Sequence, residues 1–99
     1  MLVCKPDIDA LFAGSDLMAL GAMDALRQAG RRIPEDVAVA GFDDSAAALM
    51  ADPPLTTMRN PFEESAFEAV GILNDLMDGR LTSPRHVLLA TAFVARASA

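Results

Sequence analysis

The chain has a single cysteine in 99 residues, Cys4, which excludes an internal disulfide and any cysteine-cluster metal site. A lone thiol suits a reducing compartment. No run of 18 apolar residues occurs, so no segment reads as a membrane-spanning helix. The opening stretch MLVCKPDIDALF lacks a charged leader followed by a long apolar core, and does not read as a secretory signal. Basic residues are few: eight Lys and Arg against fourteen Asp and Glu, for a net charge of −6. Nucleic-acid binding draws affinity from Lys and Arg that neutralise phosphates, and here only Arg31 and Arg32 are adjacent. These residues alone are a poor grip for DNA or RNA. Without a basic amphipathic helix they are also a poor match to a membrane surface. A glycine-rich phosphate loop and a G-x-S-x-G nucleophile motif are both missing.

Apolar residues make up 53% of the chain, which is rich for its length. Ninety-nine residues allow one small domain with a thin stability margin. Such a composition exposes apolar surface unless a partner covers it, which points to an oligomer or a larger assembly.

The pattern along the chain alternates strand and helix. Residues 10–13 read as a buried strand ending at Gly14, with Ser15 as N-cap and Asp16 in the first turn, where the helix dipole favours negative charge. The helix 16–29 is stopped by Gly30. Its polar positions Asp24, Arg27, Gln28 and Arg31 form one narrow stripe, so the rest of its circumference asks for cover on more than one side. VAVAGF, residues 37–42, shows no alternation and reads as a strand buried on both faces of a parallel sheet. A helical turn at 46–50 and a short strand at 55–58 follow. Residues 60–79 carry the fullest helix signals. Asn60 is placed as N-cap, Pro61 as first residue and Glu63 as capping-box partner. Phe62, Ala66, Val70, Leu73 and Met77 make a helical stripe. Residues 86–98 read as a final strand with an exposed tail. The order predicts an α/β fold with a largely parallel sheet, but only part of a doubly wound domain.

In such sheets ligands bind beyond the carboxyl ends of the strands. Ser15-Asp16, Asp43-Asp44 and Arg59-Asn60 all fall there. Asp43 is the sharpest candidate, because a carboxylate accepts two hydroxyl donors of a sugar or nucleoside; its other reading is a turn residue. Asp44, one step farther from the strand, reads as the cap or turn. The pair could also hold Mg²⁺ for phosphoryl transfer, a chemistry that needs a nucleophile or phosphate cradle not found here. His86 stands without a Ser or Cys partner motif and reads as structural. The six methionines fall at packing positions. Phe62 either anchors its stripe or offers a flat apolar face to a ligand, and Asn60 is either a cap or a ligand contact.

The blocks SDLMALGA, IPEDVAVAGFDD, PPLTTMRNP and the closing HVLLATAFVARAS, in this order and spacing, resemble the C-terminal third of LacI/GalR-family transcriptional regulators from about Pro6 to Ser98. The resemblance implies half of a periplasmic-binding-protein-like core, a partial doubly wound parallel sheet. It implies a cytoplasmic, non-enzymatic homodimer without a cofactor, whose small-molecule cleft controls operator DNA. Carried over by position, Ser15, Asp43, Asn60 and Phe62 face the effector, and Asp43 takes sugar or nucleoside hydroxyls. Helix 16–29 and the region around 46–51 form the dimer contact, through Leu17, Leu20, Met23, Ala47 and Met50. Residues 58–62 and the loop before His86 are crossovers to the other lobe. Ser15 stands where the family often has Asn, Asn60 where Gln is common, and Ala97 where an acidic residue is usual. The helix-turn-helix and first lobe have no counterpart in these residues. A transported-solute-binding protein of the same fold and a Mg²⁺-dependent phosphoryl-transfer domain are the alternatives.

Overall fold

The computed structural model describes residues 4–99. The single small domain expected from length is two compact units: the residues up to Arg59 together with Ala92–Ala99, and Asn60–Thr91. The elements run β1 (Ala10–Phe12), α1 (Asp16–Gln28), β2 (Ala38–Ala40), α2 (Ala46–Met50), β3 (Thr57–Arg59), α3 (Phe62–Met77) and β4 (Ala92–Val94).

In the first unit β1 and β2 pair in parallel, with Ala10 opposite Ala38 and Phe12 opposite Ala40. Isolated parallel bridges, Ala40 to Thr56 and Asp43 to Arg59, carry the pairing on to the β3 segment. β4 returns antiparallel to β3, with Arg59 opposite Ala92. The α/β reading with a partly parallel sheet therefore holds.

α1 covers one face of this sheet. Its inward stripe is Asp16, Ala19, Met23 and Leu26, at spacings that return to one side of a helix. Ala19, Met23 and Leu26 meet Ala13, Val37, Val39, Ala48 and Leu55 to form the core. Ser15 caps α1 as expected, its Oγ accepting the Met18 backbone N–H at 3.2 Å. Gly30, at φ +75°, supplies the left-handed residue that ends it. The other face of the sheet differs from expectation. Residues 37–42 read as buried on both sides, yet Ala10 and Phe12 are exposed and Ala38 and Ala40 half-buried. They line an apolar hollow of about 260 Å³.

The final segment also departs from its sequence reading. Only Ala92–Val94 is strand, and residues 86–91 are exposed outside any strand. The tail beyond β4 is anchored: Ser98 is buried, its Oγ accepting the Thr56 N–H at 2.8 Å and donating to the Val39 carbonyl at 2.6 Å. Its own backbone closes the joint, because the Val39 N–H donates to the Ser98 carbonyl.

In the second unit α3 begins at Phe62, one residue later than the capping pattern predicts. Pro61 takes the N-cap position with ψ +70°, and no side chain caps the helix. Asn60 accepts the Phe62 N–H through its backbone carbonyl. The apolar stripe is present, but no residue of α3 is buried.

Candidate functional site

The carboxyl ends of the first three strand segments lie side by side. The Ala13 N–H donates to the Ala40 carbonyl, Asp16 to Phe42, Gly41 to Thr56 and Asp43 to Met58, each at 2.9 Å. The convergence expected of Ser15, Asp43 and the Arg59 end of β3 is therefore real within the first unit.

Asp43 and Asp44 occupy this rim, and the structure separates their roles. Both have positive φ, +119° and +59°, a conformation that costs roughly 1–3 kcal/mol for a non-glycine residue unless the surroundings hold it. Asp44 is engaged twice. Its Oδ1 accepts Arg96 Nη2 at 2.6 Å and its Oδ2 accepts Arg59 Nε at 2.8 Å. The Arg96 guanidinium first, and Arg59 second, hold the Asp44 carboxyl below the ordinary carboxylate range, against a burial that acts the other way. The Asp43 carboxylate has no hydrogen bond or ion pair among the described residues. With Asp44 committed to two arginines, the two carboxylates are not a free pair for Mg²⁺. Among the described residues no three His, Cys, Asp or Glu side chains cluster to hold a metal.

Beneath the rim lies Asp16, which the sequence placed at this strand end and in the first turn of α1 but without a partner. Asp16 is 1% exposed. Its Oδ1 accepts the Thr57 hydroxyl at 2.6 Å and its Oδ2 the Ser45 N–H at 2.7 Å. A Cβ on Gly41 would stand 2.6 Å from Asp16 Oδ1, so glycine at that position makes room for the carboxylate. The Gly41 in VAVAGF was the available signal for this close approach. Ser45 Oγ, at the start of α2, is buried without a partner among the described residues.

Ser15 belongs to the same unit, with its hydroxyl already accepting the α1 cap bond. Asn60 and Phe62 belong to the second unit, where Asn60 is half-buried and Phe62 is exposed. Of the residues assigned to the dimer face, Leu17 and Met50 are 75% and 84% exposed. Leu20 and Ala47 are half-buried. Met23 is corrected: it is 1% exposed and belongs to the core, because it continues the Asp16–Ala19 stripe toward the sheet. The exposed apolar side chains on α1 and α2 that the sequence reading passed over are Met18 and Leu49.

The parallel strand pairing, the covering helix and the polar rim at the strand ends fit part of an α/β domain of the periplasmic-binding-protein-like class. A family profile described as periplasmic binding protein-like domain matches residues 1–99, and the chain belongs to that family, in its branch of LacI-type transcriptional regulators. It is 47% identical over 93 residues to the HTH-type transcriptional regulator CelR of Thermobifida fusca, covering 94% of this chain and 27% of that protein. Among solved structures, a transcriptional regulator CelR–cellobiose complex matches with a TM-score of 0.96 at 46% identity, over 99% of this chain and 30% of that one. The lac repressor dimer bound to operator and the anti-inducer ONPF matches with a TM-score of 0.86 at 31% identity, over 98% and 34%. The chain thus spans about a third or less of the length of these proteins. They are regulators, not enzymes. No helix among the described residues is long and apolar enough to cross a membrane.

Proposed function

We propose that this chain is the effector-binding and dimerisation segment of a LacI-type regulator that recognises a disaccharide of the cellobiose class. The observation that carries the reading is the contrast at the rim. Asp44 is engaged by two arginines, while Asp43, beside it at the ends of three strand segments, keeps its acceptor oxygens free among the described residues. A free carboxylate there suits vicinal sugar hydroxyls, each a donor to an ionised acceptor. Ser15, in the same unit, adds a polar contact; in the second unit, taken by itself, Asn60 offers a polar group and Phe62 a flat apolar face of the kind a sugar takes. Leu17 and Met50, with Leu20 and Ala47 at their margin, form the face that pairs with a second copy. The regulator acts in the cytoplasm, and reaches operator DNA through a helix-turn-helix outside these residues. Effector binding then shifts operator affinity by favouring one arrangement of the core.

Isothermal titration of the full-length regulator with cellobiose tests this. Asp43→Gly separates ligand from turn, because glycine relieves the strain at φ +119°. The expected result is loss of cellobiose binding with thermal stability unchanged or raised. Retained binding would reject the assignment.

A further inference from the structure

Two consecutive residues with positive φ are not stable by themselves, so something must hold the turn 43–44. On one side the following residue is fixed: the Ser45 N–H donates to the buried Asp16 carboxylate. The Asp44 N–H reaches Thr57 Oγ1 at 3.4 Å, and that hydroxyl is itself anchored on Asp16. On the other side stands the Asp44 carboxylate between its two arginines. Arg59 is the last residue of β3, and Arg96 lies two residues beyond β4, so the carboxylate is tied to both strands that lead into and out of the second unit. Arg96 cannot swing freely, because its Nη1 donates to the Leu55 carbonyl at 2.9 Å. Asp44 and Arg96 side chains are 11% and 15% exposed, which leaves the pair less screened by solvent than an open surface bridge.

From this arrangement we infer that Asp44 is a positioning residue for the effector site, which with Arg96 and Arg59 fixes the strained turn that aims the Asp43 carboxylate. In this role Asp44 acts through its neighbour: it sets where Asp43 points. The inference rests on the reading of Asp43 as the sugar contact. A turn held in advance spares the ligand the cost of ordering it, so loosening the clamp lowers affinity without removing a single ligand contact.

The experiment titrates the full-length regulator with cellobiose, well below the melting temperature of each variant. Asp44→Asn keeps size and tolerates positive φ but removes the charge. Arg96→Met removes the cation and Arg96→Lys keeps it. Val37→Ala is the control: it loosens the same core from the opposite end of β2. Asp44→Asn and Arg96→Met are expected to weaken binding about tenfold or more, with Arg96→Lys within about threefold and Val37→Ala within about twofold of the parent. Arg59→Met, at a side chain 61% exposed, tests the clamp without threatening the fold and is expected to weaken binding by about threefold or more. If Asp44→Asn and Arg59→Met bind as Val37→Ala does, the positioning role is overturned while Asp43 keeps its role. If the parent binds no cellobiose, or Asp43→Gly binds as well as the parent, the effector reading itself fails and the inference falls with it.

Discussion

α1 and α3 are both amphipathic, and α3 carries more large apolar side chains, yet only α1 is part of a core. α1 buries Ala19, Met23 and Leu26 against Val37, Val39 and Leu55. α3 has Phe67, Val70, Leu73, Leu76 and Met77 exposed and no residue buried. Helical periodicity decides which side chains share a face; it says nothing about whether these residues include the surface that covers it. For α1 the covering sheet is supplied by β1 and β2. For α3 none of the described residues of its own unit supplies a comparable sheet. The first unit is consequently where stability and the candidate site can be argued from contacts, and the second offers faces.

The sharpest way to break that contrast is truncation on each helix. Leu26→Ala in the first unit should cost about 2–5 kcal/mol, a buried leucine replaced by a cavity. Leu73→Ala on α3 should stay within about 0.5 kcal/mol in the 99-residue chain, as a surface change does. Urea denaturation measures both. In a longer chain that covers α3, the Leu73 cost should rise toward that of Leu26. Equal costs in the 99-residue chain would mean that α3 has found a partner surface there.

A second test stays inside the first unit, at its buried carboxylate. Asp16→Ala leaves the Ser45 N–H and the Thr57 hydroxyl without their acceptor, at about 1–3 kcal/mol. Gly41→Ala drives a methyl against the same carboxylate, also about 1–3 kcal/mol. The two should not add. Once the carboxylate is gone, the space that glycine kept open is available to the methyl, so the double variant should be less destabilised than the sum. Strict additivity would show that Asp16 and Gly41 are not coupled as their geometry requires.

What the sequence revealed follows the range of the interactions involved. The Ser15 cap, the Gly30 stop and the helical stripes are contacts within a few residues, and they stood as read. The capping box at Asn60 was also local but failed, because Pro61 takes a non-helical ψ and moves the helix start past the reach of the Asn60 side chain. Asp43 and Asp44 could be placed at a strand end, but not told apart. What separates them is Arg96, 52 residues away from Asp44 in sequence, and no local pattern marks that pairing. Ser98 shows the same limit: it follows an apparent tail, and only the approach of Val39 and Thr56 makes it a buried joint. Met23 was misassigned for a simpler reason. In a helix apolar over most of its surface, sequence alone does not say which apolar side faces the sheet.

The smallest expected effect concerns acid stability, and it again falls on the first unit. The Asp36 carboxylate accepts Arg32 Nη2 at 2.8 Å, Arg32 Nε at 3.0 Å and the Arg32 backbone N–H at 2.8 Å. The guanidinium and that N–H hold its pKa at about 2, below the ordinary 3.8. A carboxylate with a depressed folded-state pKa binds its proton more readily in the unfolded chain. Its contribution is therefore complete above the ordinary value, and is lost as pH falls from about 4 through about 2. Asp44, lowered by Arg96 and Arg59, acts with the same sign. Denaturation midpoints of Asp36→Asn and its parent should differ above this window and converge below it. The gap should be small because Arg32 is exposed and the pair is screened by solvent. Asp44→Asn should show the larger gap, its partner Arg96 being held on the Leu55 carbonyl and shielded from water. A larger gap for Asp36 than for Asp44 would reverse the ranking and show that the clamp beside Asp43 contributes less to stability than an open surface pair.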